Sequence, residues 1–507
     1  MPAPAPNPRP MAFAACVALP LVVAAWLRWR QLGQLEPFVD EGANILTSLD
    51  PRVRSVFKPL EQGRPLLVWL FLPAGWMPGP VLFSARLMTS VAGLVTAGAL
   101  GACLARLGGR RAALWGVWLW ALLPLAVWHE RLAIQDPFVT AALACALVLL
   151  VAGHAGGPKR GAFFWVGAGL LFGVAFLLKI SAIFALPWLG LLYFALQRHF
   201  GLPVIDRRLA WLAAGAVVPV AALGSNLPLL GSRLGNYDVM PKFTEQEMAG
   251  GVMHRFGTWS SWYVGYDGWP LLVLLALALV LGGRLAQHRL TAWCAAGGWA
   301  LSLLVGSAFY KSSYARYALP DHVPLVLFLG LALGGALSPA RWKMVLAAGT
   351  LALARWSLVD WQIGSDPAQA PVPAADITQY VTGSWSGRGT AEVRRFLADF
   401  ADHHQVQCLV LTHRMLRPGC YALILAAEDD PRIGVVPFTV YEPAELAATR
   451  ASLRRAAVGR RVAFFLLYEG SLYPAHPWLD APESGAKLVC TVDRGGGETF
   501  SLYQFEP

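Results

Sequence analysis

The sequence predicts an α-helical polytopic membrane protein that ends in a small extracytoplasmic α/β domain. Three observations carry that expectation. The 507 residues are 56% hydrophobic, with a mean hydropathy of +0.50. Only 14% are charged, where a soluble domain has about 25%. Apolar runs long enough to cross the hydrocarbon core, which takes about 17–25 residues, recur as far as residue 360 and then stop.

The first run starts at Met11, after a Pro-rich stretch. Trp26-Leu27-Arg28-Trp29-Arg30 follows it where a signal peptide would carry small residues, so it reads as an uncleaved anchor. Eleven spans are expected, near 11–28, 80–105, 112–128, 137–153, 161–178, 180–197, 209–230, 270–285, 291–309, 320–338 and 342–360. The 161–197 stretch is too long for one span at about 1.5 Å per residue, and is divided at Lys179-Ile180-Ser181. In the short loops, Arg106, Arg110 and Arg111, then Lys159 and Arg160, then Arg198, Arg207 and Arg208, then Arg284 and Arg289, then Arg341 and Lys343 all fall on one side. The bias of Lys and Arg makes that side cytoplasmic. The N-terminus is then inside, and the 29–79, 129–136, 231–269 and 310–319 loops and the tail are outside.

The net charge of +11 belongs to the membrane part. Residues 1–375 hold 28 Lys and Arg against 15 Asp and Glu, and residues 376–507 hold 13 against 15. It signals no nucleic-acid partner. No nucleotide-binding signature, Gly-rich phosphate loop, Ser/His/Asp order or His/Cys cluster is present. Cys16, Cys103, Cys145 and Cys294 lie in apolar runs. Cys408, Cys420 and Cys490 in the tail permit at most one disulfide and lack metal-ligand spacing. A divalent metal is left open without support from spacing. The aromatic stretch from Trp259 to Trp269 reads as an interfacial belt on an outer loop, with a wall against lipid or sugar as the other reading.

Residues 1–365 form the membrane domain, and 366–507 a linker and soluble domain. Pro367 to Ala375 is the Pro/Ala linker. Glu392 to His403 is an amphipathic helix with Val393, Phe396, Leu397 and Phe400 on one face. Ala444 to Ala457 is a second helix. Residues 407–411, 462–467, 487–492 and 500–505 read as strands. His403 and His404 face solvent.

Several ionisable groups gather at the outer ends of spans. Asp40 and Glu41 stand at the lip of the membrane after the first span, either as a helix start or as working carboxylates. Asp136, before Pro137, suits an N-cap. With Arg131 it also suits polarising a hydroxyl while an anion is held. Lys179 in an apolar context either snorkels or meets a phosphate. Lys311 and Arg316 are outer cations that call for a partner, a phosphate among them. Arg86 inside the second span needs a carboxylate or lipid phosphate, and Arg64 lies on the first outer loop.

Asp40-Glu41, then Arg64-Pro65-Leu66 and Arg86, then Arg131 with Asp136, then Lys179, then Arg316-Tyr317-Ala318-Leu319-Pro320 follow in an order that resembles the GT-C glycosyltransferases of the protein O-mannosyltransferase and lipid A aminoarabinose transferase group. The resemblance covers about residues 10–340. It departs at Arg64-Pro65-Leu66, where a Lys-Pro-Pro-Leu type run is expected. Asp376 to Val381 with Ser384 to Gly389 also resembles a segment after the last span of bacterial members. The resemblance implies a GT-C fold and transfer of a sugar from a polyprenyl-phosphate-linked donor to a hydroxyl-bearing acceptor at the outer face, with inversion. Asp40 would be the general base, supported by Glu41, with Asp136 in the same catalytic set. Arg64, Arg86, Arg131, Lys179, Lys311, Arg316 and Tyr317 would bind substrate, and membrane lipids are further partners. Two rivals are a transporter or lipid flippase, which would show repeats and midplane polar residues in broken helices, and a non-catalytic scaffold whose tail binds a partner.

Overall fold

In the computed structural model, the described residues are 10–51, 63–155, 158–224, 245–282, 289–309, 314–335, 339–383, 385–413, 418–438, 451–455, 457–469, 485–495 and 497–506. They divide into two compact units. The first comprises Met1–Gln31, Val56–Leu70 and Arg86–Pro371; the second comprises Leu32–Ser55, Phe71–Ala85 and Val372–Pro507.

Each of the eleven expected spans holds a helix. They include Pro10–Trp29, Val81–Leu107, Asp136–Ala155, Arg207–Ala221, Arg289–Phe309, His322–Gly334 and Pro339–Ser365. Six helices among the described residues are long and apolar enough to cross a bilayer, and three shorter ones are apolar. The expected 112–128 span is broken. Gly109–Ala121 ends and Pro124–His129 begins anew, because Pro124 cannot donate to the preceding turn. The division at Lys179 is real: Pro158–Leu178 stops, Lys179 is extended, and a 3₁₀ turn Ile180–Ala185 leads into Leu186–His199.

The aromatic stretch is a correction. Trp259 to Trp269 lies within a helix, Glu245–Gly282, rather than on a loop. Trp259, Trp262, Tyr263 and Tyr266 are buried. Their i, i+3, i+4, i+7 spacing gives one helical face, and that face packs inward. The helix is kinked at Gly268, whose φ of 62° suits glycine alone.

Two arginines close helix ends in the first unit. Where no water reaches, terminal carbonyls need protein donors. Arg28 donates to Ala121 and Trp120 carbonyls at 2.9 and 3.2 Å, and to Glu130 Oε2. Trp120 Nε1 donates to Glu130 Oε1 at 3.0 Å. Gly93 makes room for this carboxylate, since a Cβ there would fall 2.0 Å from Glu130 Oε2. Arg131 donates to the carbonyls of Leu27, Arg28 and Arg30 at 2.8, 3.1 and 2.8 Å, which closes Pro10–Trp29.

The second unit is built on a five-stranded sheet in the order β2-β1-β3-β5-β4. The strands are β1 (Gln407–His413), β2 (Ile433–Phe438), β3 (Val462–Glu469), β4 (Lys487–Gly495) and β5 (Glu498–Phe505). β1 is parallel to β2 and β3, while β5 is antiparallel to β3 and β4. Phe465 and Leu467 face a core closed by Val393, Leu397 and Ala401 of helix Thr390–His404. Phe464 and Leu466 face a second cluster with Leu411, Leu453 and Phe505. β2 and helix Pro418–Ala426 were not expected. Pro437 and the shortness of both runs hide them. Of the helix expected over 444–457, residues 451–455 are helical and 444–450 lie outside the described residues.

Glu36 caps helix Thr390–His404. It accepts from Gly389 N–H and Ala391 N–H at 2.8 and 2.6 Å, and from Thr390 Oγ1 at 3.3 Å. Burial nonetheless pushes its carboxyl above the usual range. The folded state then holds the proton more tightly than the unfolded chain. This group's contribution to stability therefore grows as pH falls through the raised value. Glu36→Ala should cost about 1 kcal/mol and speed hydrogen exchange at the Gly389 and Ala391 amides; unchanged exchange there would contradict the cap.

Candidate active site

The first unit brings five of the expected residues together: Arg64, Asp136, Lys179, Arg316 and Tyr317. Asp136 opens helix Asp136–Ala155, and its Oδ1 accepts from Lys179 Nζ at 2.7 Å. The two side chains are 4% and 7% exposed, so the pair is dry. Lys179 can reach it because the chain is extended there, between a helix end and a 3₁₀ turn. Its Nζ also lies 3.8 Å from the centroid of the Tyr317 ring, a cation–π contact strengthened by burial.

The Arg64 segment is tied to that same break. Ile180 N–H donates to Gly63 O at 3.0 Å, and Leu66 N–H donates to Leu177 O at 3.2 Å. These bonds bracket Arg64 and Lys179 across from one another. Gly63 is required: its φ is +66°, and a Cβ there would meet Ile180 Cγ2 at 3.0 Å. Arg316 and Tyr317 ride on a 3₁₀ turn, Ala315–Ala318, with both side chains buried. The Arg316 guanidinium lies 4.9 Å from the Tyr314 ring centroid and 5.6 Å from that of Tyr317. Arg64 and Arg316 both act electrostatically on Lys179, as Asp136 does. Three cations thus share one neighbourhood with one carboxylate among these residues. A guanidinium pair beside an ammonium is chemistry that suits a phosphate.

The other expected residues lie elsewhere. Arg131 spends its guanidinium on carbonyls of the first helix. Arg86 is buried within electrostatic reach of Arg131, and Asp360 reaches both Arg131 and Arg28. Lys311 lies outside the described residues. Asp40 and Glu41 belong to the second unit, in the first turn of helix Val39–Leu49. Glu41 is fully buried, and its Oε2 accepts from Phe38 N–H at 3.3 Å. Asp40 is partly exposed. Gly42 of this helix meets Tyr421, where a Cβ would fall 2.5 Å from the Tyr421 Cβ, so the helix is packed tightly against Pro418–Ala426.

Sequence reasoning missed several buried groups of the first unit. His129 lies within electrostatic reach of Asp136, Arg316 and His322. Asp267 and His322 form a fully buried pair at 3.2 Å. Their signal was present, since ionisable groups inside apolar helices need partners, but the aromatic residues around Asp267 read as a belt. Among the described residues no three His, Cys, Asp or Glu side chains gather as a metal site.

The Lys179–Asp136 pair makes a direct stability test. Lys179→Met leaves a buried carboxylate without its partner and should cost about 3–5 kcal/mol. Lys179→Met with Asp136→Leu should cost less than either single change. Melting in detergent measures it, and additive losses would contradict a coupled pair.

Comparison with known proteins agrees with this picture. A family model described as dolichyl-phosphate-mannose-protein mannosyltransferase matches residues 64–224. No curated protein matches. Among solved structures, ArnT from Cupriavidus metallidurans in the apo state aligns with a TM-score of 0.62 at 16% identity, covering 97% of each chain. The same protein bound to undecaprenyl phosphate aligns at 0.56 and 17%, again over 97% of each chain. The apo oligosaccharyltransferase from Archaeoglobus fulgidus aligns at 0.50 and 12%, over 91% of this chain and 70% of that one. Fold and family model together support a membrane glycosyltransferase. The chain is a multi-pass membrane protein with the GT-C glycosyltransferase fold.

Proposed function

We propose that this chain transfers a glycosyl unit from a polyprenyl-phosphate-linked donor to a hydroxyl acceptor on a protein, lipid or glycan. The observation that carries the reading is the cluster of partly buried Arg64 with buried Lys179 and Arg316 around Asp136 and Tyr317. The ArnT structure with undecaprenyl phosphate is of a protein with the same fold, which supports a polyprenyl phosphate as the carrier. The loop charges support an extracytoplasmic site, with the N-terminus in the cytoplasm and the tail outside.

In this reading the bond between the anomeric carbon and the phosphate oxygen breaks as the acceptor oxygen attacks from the opposite face. The configuration inverts, and the acceptor proton passes to Asp40. Charge grows on the departing phosphate, and the three cations stabilise it where water is scarce. Asp136 orients the Lys179 ammonium and keeps it charged. Glu41 holds the start of the helix that carries Asp40. Arg131 acts behind the substrate residues, through the helix end it supports.

Glycosyl transfer by the purified protein from a polyprenyl-phosphate sugar tests this. Asp40→Asn should lower the rate about 10²–10⁴-fold, as removal of a general base does. Equal rates would remove Asp40 as the base, and no transfer from any such donor would end the enzyme reading.

A further inference from the structure

The Arg316–Tyr317 turn hangs from a buried relay within the first unit. Beside the kink at Gly268, Trp356 Nε1 donates to the carbonyl of Asp267 at 2.7 Å. That bond fixes the residue at the end of the helical turn. The Asp267 carboxylate then meets His322 Nε2 at 3.2 Å, and His322 Nδ1 lies 2.8 Å from Ala318 O. Ala318 closes the 3₁₀ turn that carries Arg316 and Tyr317. The Tyr263 ring stacks on the imidazole at 4.4 Å and 14°, so the ring cannot swing away. Asp267 and His322 are 1% and 0% exposed.

The protons can be counted. A carbonyl only accepts, so Nδ1 of His322 carries hydrogen. Nε2 faces a carboxylate oxygen, so one more proton must lie between them. The pair is then either imidazolium with carboxylate or imidazole with carboxylic acid. Both are neutral overall, which suits a dry interior, and both keep two hydrogen bonds in series. The Ala318 carbonyl also accepts from Asp321 N–H at 3.1 Å. Loss of His322 removes its side-chain donor, and loss of Asp267 leaves the imidazole without the anchor that sets its tautomer and orientation.

We propose that Asp267 and His322 are positioning residues for the phosphate cluster: together they hold the Ala315–Ala318 turn so that Arg316 and Tyr317 stay beside Lys179. The inference rests on the glycosyltransferase reading, because its effect is expected on the lipid-phosphate donor. Neither residue touches that donor. The relay acts through Tyr317, whose ring lies on the Lys179 ammonium.

Three variants test it in the full-length protein, with the Michaelis constants for a polyprenyl-phosphate sugar and for the acceptor measured separately. His322→Phe keeps a stacked ring and loses both bonds. Asp267→Leu loses the anchor. Both should raise KM for the donor about tenfold or more, as loss of an orienting partner typically does, while KM for the acceptor stays within about twofold. Asp267→Asn is the rescue. Its amide nitrogen can donate to Nε2 of a neutral imidazole whose Nδ1–H still reaches Ala318, so donor KM should stay within about twofold of wild type. Unchanged donor KM in His322→Phe would overturn the proposal. So would an Asp267→Asn variant as impaired as Asp267→Leu. Melting of each variant in detergent identifies one that has not folded; if that is His322→Phe, Asp267→Leu against Asp267→Asn decides, and if it is Asp267→Leu, His322→Phe decides. If the wild type transfers nothing, it is the glycosyltransferase reading that has failed; wild-type transfer with donor KM unmoved in the folded loss variants, His322→Phe and Asp267→Leu, overturns the relay alone.

Discussion

A lysine ammonium and an aspartate carboxylate 2.7 Å apart, both almost without solvent, are the interaction around which the first unit is arranged. Neither charge is tolerable alone in that setting. The carboxylate comes from the start of one membrane helix and the ammonium from a break between two others. Forming the pair therefore fixes three helix ends at once. The break in turn offers free backbone groups at Leu177 and Ile180, and the Arg64 segment takes them. The aromatic ring of Tyr317 covers the ammonium from another side. One ion pair thus draws together segments more than a hundred residues apart.

The two charge clusters of the first unit divide the work. Around Arg28 and Glu130 the guanidinium groups are spent on carbonyls at the ends of helices, where burial leaves no water to do so. Around Lys179 two of the cations lie against aromatic rings, Lys179 on Tyr317 and Arg316 near Tyr314. The first arrangement is saturated and holds the helices. The second retains positive field and suits a diffusing anion. Arg131 and Lys179 read alike in the sequence, as cations near outer helix ends, and only their surroundings separate the two roles.

Much of the membrane part was legible because bilayer thickness imposes long apolar runs, and every expected span holds a helix. The break at Lys179-Ile180-Ser181 was legible for the same reason, since length alone forced it. The burial of Trp259, Trp262, Tyr263 and Tyr266 was not, because aromatic residues serve equally at an interface and in a core. Asp267 was hidden among them. Helix Val39–Leu49 showed only its first turn, through Asp40 and Glu41. Its packing on Tyr421 depends on Gly42, whose missing side chain carries no pattern. In the tail, the alternating strands were plain, whereas β2 contains a proline and helix Pro418–Ala426 is short and uniformly apolar.

If the Lys179 cluster holds the phosphate of a polyprenyl carrier, as proposed above, binding of that carrier depends on Arg316. Equilibrium binding of a polyprenyl phosphate to the purified protein, compared between wild type and Arg316→Gln, tests it without any need for turnover. A lost hydrogen bond to a charged group is worth about 1.5–3 kcal/mol, so affinity should fall about tenfold or more, and wild-type binding should weaken with salt. Equal affinity in the two proteins would contradict it.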